Sequence, residues 1–372
     1  MIRSGLSPQG NGGREKFYTL ELGRFLAALA VMLAHWFGEM NGHAYAGFKI
    51  FGGSMPPFAL AVQYFFVLSG FVMARAHHQD FGKWRSPLKF WWRRGWRVYP
   101  VYWLALTLPA YFLWGALKQP YFAFRIFSLA PLNTGDFIPP AWTLRYEMGF
   151  YLIFGIALLP FIGRWVLAAW VALVLWNCAP PAMLAFLHVP AAVGLHHLIT
   201  ITGLHLFDNA DIYFLAGLLA GAISVNYAPG LWLSAVTTLL AVICMLLYQP
   251  TFHWGHTYGT LMSQAMGYAL VLGALLLGIT GLEQAGALRV PRLCGALGAL
   301  SYPLYITHTA VMLIFNVNTQ HMKWHAPVLY IICLLGIVVY LAIAQGVTVL
   351  YDQPIQRAIR RFNRAWARRR AS

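Results

Sequence analysis

Arg24 and His35 close the two ends of "RFLAALAVMLAH", an otherwise apolar run near the start of a 372-residue chain. A guanidinium binds anions through a fixed fork of N–H donors, and an imidazole can take a proton from a hydroxyl or attack a carbonyl itself. Eleven residues of α-helix turn through about 1100°, within about 20° of three full turns, and rise about 16 Å. The two side chains therefore share one helical stripe at different depths, too far apart to touch. In hydrocarbon an ionisable side chain costs roughly 2.5–3.5 kcal/mol at a helix centre, so the stripe should line an internal cavity. The plainer alternative is an Arg that snorkels to the interface and a His near the end of a span.

Other stretches carry groups of the same kind. Ser69 and Gly70 interrupt the bulky run "FFVLSGFVMA" at 65–74; small residues let helices approach closely, which accounts for them as well as a role for the Ser69 hydroxyl does. In "FWWRRGWRVYPVYW", 90–103, Arg94 and Arg97 are neighbours on one helix face and suit phosphate groups; for Lys89, Arg93 and Arg85 a topology signal suffices. "IPPAWTLRYEMGFYLIFG", 138–155, holds Arg145 and Glu147, which project to different faces. Glu147 is thus free to meet a charge from another helix, and His35 would fit. In "ALSYPLYITHT", 299–309, Ser301, Tyr305 and His308 share a face, with Tyr302 on a looser side of it; buried Tyr and His often serve simply to satisfy hydrogen bonds.

The elements that must position these groups follow from composition. With 60% hydrophobic residues, 10% charged residues and a mean hydropathy of +0.61, the chain cannot be covered by a soluble surface. It reads as an all-α, polytopic integral membrane protein. About 20 apolar residues cross roughly 30 Å of hydrocarbon, and such stretches centre near residues 27, 67, 107, 152, 171, 216, 239, 270, 307 and 338. These predict about ten transmembrane helices, with 182–206 as an extra or re-entrant segment.

The net charge of +16 reflects topology rather than nucleic acid, for which no binding is expected. If both termini are cytoplasmic, 20 of the 26 Lys and Arg residues fall in inside segments 1–16, 75–97, 163–165, 282–294 and 352–372, as the positive-inside rule requires. Residues 1–16 form a polar N-terminal segment, and the basic tail 352–372 reads as an amphipathic anchor on an anionic leaflet or as a topology signal. No cleavable signal peptide is expected, because a long first segment carries Glu21 and Arg24. Cys178, Cys244, Cys294 and Cys333 have no paired spacing, which argues against disulfides and a metal site. Residues 1–372 read as a single membrane domain.

Taken in order, these segments resemble membrane-bound acyltransferase family 3, whose members acylate carbohydrates and other small acceptors at the cell envelope. The likeness spans nearly the whole chain: the Arg-ten residues-His step of Arg24 and His35, "FFVLSGF", Arg94-x-x-Arg97-x-x-Pro100, "WTLRYEMGFYL", "SYPLYITH" and "YDQP" at 351–354. Departures include Glu21 where Asp is common, Thr143 for Ser and Asp352 for Glu. The resemblance implies a multi-pass enzyme of the cytoplasmic (inner) membrane with no bound cofactor. It would use acyl-CoA, most often acetyl-CoA, as co-substrate and a carbohydrate or glycolipid hydroxyl as acceptor. On that footing Arg24, Arg94, Arg97 and Ser69 hold the donor, and His35 is general base or transient acyl carrier. Glu147 would orient His35, and Tyr305, His308 or Tyr302 would assist the oxyanion. The competing class is a transporter or channel using intramembrane Arg, Glu and His as a path.

Overall fold

The computed structural model describes residues 16–53, 60–112, 120–132, 138–177, 206–207, 209–227, 229–247 and 262–369. Their regular elements are helices: α1 Tyr18–Gly42, α2 Ala61–His77, α3 Ser86–Phe112, α4 Pro120–Ser128, α5 Ala141–Ala157, α6 Gly163–Asn177, α7 Asn209–Asn226, α8 Leu231–Leu247, α9 Met262–Gln284, α10 Leu293–Thr319, α11 Ala326–Val347 and α12 Gln353–Arg369. All ten expected span centres fall on helices. By length and composition, four stretches are long and apolar enough to cross a bilayer, namely Tyr18–Gly42, Ala265–Gln284, Leu293–Thr319 and Ala326–Ala365. Three shorter apolar helices accompany them, at Gly163–Trp176, Ala210–Asn226 and Leu231–Leu247. The expected segment 182–206 lies outside the described residues except for Leu206, whose carbonyl accepts from Trp170 Nε1 at 2.7 Å.

Helix ends in an apolar surround need partners for their orphan backbone groups. Phe17 cannot cap α1 with its side chain, and Glu283, near the end of α9, does so from across the bundle. Its carboxylate accepts from the backbone N–H of Tyr18 at 2.8 Å and of Thr19 at 3.0 Å, and from Thr19 Oγ1 at 2.5 Å. A negative charge at a helix N-terminus also complements the helix dipole. At the other end of α1, His43 Nδ1 meets the Met322 carbonyl at 3.1 Å and Ala44 pairs with Trp324, fastening α1 to the α10–α11 connection.

Small residues set the helix spacing. On α10, a Cβ at Gly298 would fall 2.1 Å from Glu21 Oε2 and 3.0 Å from Glu21 Cα, so glycine lets α1 and its Arg24/His35 stripe lie against α10. Gly70 on α2 and Gly217 on α7 interlock in the same way: a Cβ at Gly70 would meet the Phe214 carbonyl at 2.2 Å, and one at Gly217 would meet the Val67 carbonyl at 1.9 Å. The obstructing atoms are backbone, which cannot swing aside. Gly217→Val should therefore force α2 and α7 apart, and the yield of monodisperse protein by size-exclusion chromatography should collapse; a wild-type profile would contradict this close approach.

Between α11 and α12 the helix passes through a π turn at Thr348–Asp352 rather than ending. The basic tail is thus a helical continuation of α11. It packs back on α3, where Gln356 Nε2 donates to the Trp96 carbonyl at 2.8 Å and Phe362 faces Trp92. A π turn shifts every later side chain around the helix axis, and such turns are frequent at functional sites.

Candidate active site

Five helices converge on a cavity of about 100 Å³, room for several waters by volume. α1 contributes Arg24, α2 Ser69, α3 Arg94 and Arg97, α5 Thr143, Glu147 and Tyr151, and α10 Ser301, Tyr302 and Tyr305. Three guanidiniums thus face one carboxylate among the lining residues, and the space favours an anion. Among the described residues Arg24 has no hydrogen bond or close ion pair, which leaves its donors available.

The other arginines are held from behind. Arg97 donates to Asp352 Oδ2 at 3.0 Å, with the Asp352 side chain 3% exposed and the Arg97 side chain 34% exposed. Tyr302 donates to the Val98 carbonyl at 2.6 Å and places its ring under the Arg97 guanidinium. Arg94 lies over the rings of Phe90 and Tyr151, at 5.8 and 5.2 Å from their centroids. Removing Arg97 would leave the buried Asp352 carboxylate with only the Gln356 amide, 3.3 Å from Oδ1, a loss below the roughly 3–5 kcal/mol of a fully buried pair, whereas Arg94 leaves behind aromatic faces. Arg97→Ala should lower the melting temperature together with donor binding; Arg94→Ala should affect donor binding with a much smaller melting shift. Thermal unfolding of the two variants side by side checks this, and equal shifts would refute the assigned difference.

Glu147 is held from two helices. Ser69 Oγ donates to Glu147 Oε1 at 3.2 Å, and the Tyr151 hydroxyl, one helical turn along α5, donates to the same oxygen. From α5 the Glu147 carboxylate thus reaches α2 and the arginine cavity. Ser69 and Gly70 divide the two roles that sequence left open, the hydroxyl holding Glu147 and the glycine admitting α7. Arg145 points elsewhere, donating from a buried guanidinium to the carbonyls of Arg125 and Ala130 at 3.0 and 2.9 Å.

His35 instead meets α10. Its Nδ1 is 3.1 Å from His308 Nε2, and His308 Nδ1 is 3.1 Å from the Leu304 carbonyl, one turn earlier. Tyr305 stands between this pair and the cavity: it lines the cavity, its ring centroid is 6.2 Å from that of His308, and neither histidine lines the cavity. Thr143 Oγ1 is 2.8 Å from the Pro140 carbonyl and 2.8 Å from the Tyr305 hydroxyl. A carbonyl accepts, so the Thr143 proton goes to Pro140 and Tyr305 donates to Thr143. In the substrate-free structure Tyr302, Tyr305 and His308 thus each have a hydrogen-bond partner inside the protein.

Sequence reading missed Asp352, Tyr151 and Thr143 as parts of the site. Tyr151 was within reach, since i and i+4 share a helical face with Glu147. Asp352 carried a signal in "YDQP" without an address, because its direction depends on the π turn.

Ionisable groups thus gather inside apolar helices, and the family model for an acyltransferase domain matches residues 17–345. The chain belongs to acyltransferase family 3. It is 30% identical over 151 residues to the acyltransferase MdmB of Streptomyces mycarofaciens, an alignment covering 35% of this chain and 36% of that protein. The chain thus spans little more than a third of the length of the curated relative it matches. No solved structure matches.

Proposed function

We propose that the protein transfers an acyl group, most often acetyl, from cytoplasmic acyl-CoA to a hydroxyl of a carbohydrate or glycolipid on the far side of the inner membrane. The observation that carries this reading is the adjacency of two chemically distinct places: a cavity lined by Arg24, Arg94 and Arg97, and the His35–His308 pair beyond Tyr305. CoA is a polyanion made in the cytoplasm, and Arg94 and Arg97 sit where the basic segment 75–97 enters the bundle. They would receive its phosphates, with Arg24 deeper, against the pantetheine or a phosphate. The cavity is far smaller than CoA, so the thin acyl-pantetheine arm is the part that would enter it.

At the far end His35 acts as general base. The acceptor hydroxyl gives its proton to the imidazole as its oxygen bonds to the thioester carbon; the C–S bond then breaks, and the proton passes to the departing thiolate. Glu147, held by Ser69 and Tyr151, balances part of the arginine charge when the donor is absent.

Purified protein in lipid nanodiscs, given acetyl-CoA and a carbohydrate acceptor, should release free thiol and form an alkali-labile ester on the acceptor. Absence of both across acyl-CoA donors and envelope glycans would overturn the reading. A channel or transporter would release no thiol.

A further inference from the structure

Resting on the reading of the arginine cavity as the donor site, we propose that Tyr151 is a positioning residue that tethers Glu147 and so keeps the protein's own carboxylate off the arginines that the donor's phosphates need. A carboxylate beside guanidiniums ordinarily pairs with one of them. Glu147 shares its cavity with Arg24, Arg94 and Arg97, yet among the described residues it forms no salt bridge with any of the three; Arg97 turns to Asp352. Glu147 Oε1 accepts instead from the Tyr151 hydroxyl and from Ser69 Oγ, the latter at 3.2 Å. Ser69 also hydrogen-bonds the Tyr151 hydroxyl, so the three groups close into one cluster.

Tyr151 is itself firmly held. It is 3% exposed, its backbone carbonyl accepts from Trp91 Nε1 at 2.9 Å, and its ring meets that of Phe90 edge to face with centroids 5.7 Å apart. Gly155, one turn further along α5, lets α3 come this near, because a Cβ there would fall 2.1 Å from Trp91 Nε1. The same tyrosine ring carries the Arg94 guanidinium over its face, 5.2 Å from the centroid. One side chain therefore spaces two opposite charges, the cation over the ring and the anion at the hydroxyl. An anion entering the cavity meets Arg24 and Arg94 without a salt bridge of their own among the described residues. Released from its hydroxyls, Glu147 would be a buried carboxylate short of donors, a costly state that closing on a guanidinium relieves. It would then compete with the donor for the same site.

The test is binding of CoA to the purified protein in lipid nanodiscs, which needs no turnover. Tyr151→Phe keeps the ring under Arg94 and removes the tether, so the Kd for CoA should rise at least about 10-fold, the weight of one charge-assisted hydrogen bond. Adding Glu147→Gln should bring the double variant back to the affinity of Glu147→Gln alone, because an uncharged amide does not compete with phosphates. A merely structural role for Tyr151 would show no such reversal. Ser69→Ala should shift affinity in the same direction, again reversed by Glu147→Gln, and it carries the test if Tyr151→Phe fails to fold. Two results would overturn the proposal. One is wild-type affinity in folded Tyr151→Phe and Ser69→Ala. The other is a double variant as weak as Tyr151→Phe, which would place the hydroxyl on the donor itself. Arginine variants separate the proposal from the reading beneath it: undiminished CoA binding in both Arg24→Met and Arg94→Ala removes the donor-site assignment, whereas weakened binding there beside unchanged binding in Tyr151→Phe removes the tether alone.

Discussion

His35→Ala will leave the protein folded and inserted and will cut kcat for acyl transfer by about 10²–10⁴-fold, the range that a positioned general base contributes. The substitution removes the ring facing His308 Nε2 and opens a small space between α1 and α10, so some loss of stability accompanies it. The helix contact itself rests on Gly298 and Glu21 and survives. Donor binding should be untouched, because His35 does not line the arginine cavity. The measurement is ester formation under saturating acetyl-CoA, paired with donor affinity from a non-transferable acyl-CoA analogue. Normal ester levels in the variant would remove His35 from the mechanism; lost affinity with normal turnover would move it to the donor site.

The second large effect concerns Arg24 and runs in opposite directions for function and stability. Arg24→Met should raise KM for acyl-CoA by roughly 10–100-fold, the weight of one charge-assisted hydrogen bond, while KM for the acceptor holds steady. The same change should raise the melting temperature of the substrate-free protein. Among the described residues this guanidinium has no hydrogen bond or close ion pair; Glu21 and Glu147 offset its charge only in part, and burying a charge so weakly compensated opposes folding. Steady-state kinetics with each substrate varied, together with thermal unfolding in the absence of acyl-CoA, reads both. A melting temperature that falls by several degrees would show that Arg24 braces the bundle instead of holding the donor. Arg24→Lys keeps the charge and loses the fork, so it should recover only part of the donor affinity.

Much of this arrangement was legible before any coordinates. Arg24 and His35 betrayed their common stripe through an eleven-residue step, and the expected span centres all fall on helices, because hydrophobic length and helical periodicity are local properties. The partners of Glu147 and His35 were not legible, since a sequence gives the face a side chain occupies and not which helix lies opposite at that depth. The depths of α2 and α10 bring Ser69 to Glu147 and His308 to His35. Asp352 was hidden for another reason: a π turn spanning Thr348–Asp352 alters the helical phase, and no residue type announces that change.

The bond between Tyr305 and Thr143 has a meaning for the cell as well as for the reaction. A protein that admits a cytoplasmic anion from one side and a sugar from the other risks becoming a hole through which the proton gradient drains. Here Tyr305 lines the cavity on the side of the histidine pair, tied across the bundle to α5 and backed by the Phe65 ring at 5.4 Å. On the proposed reading, an acyl group passing from the arginine cavity to His35 would have to displace this side chain, so the same tyrosine would limit leakage when no substrate is bound.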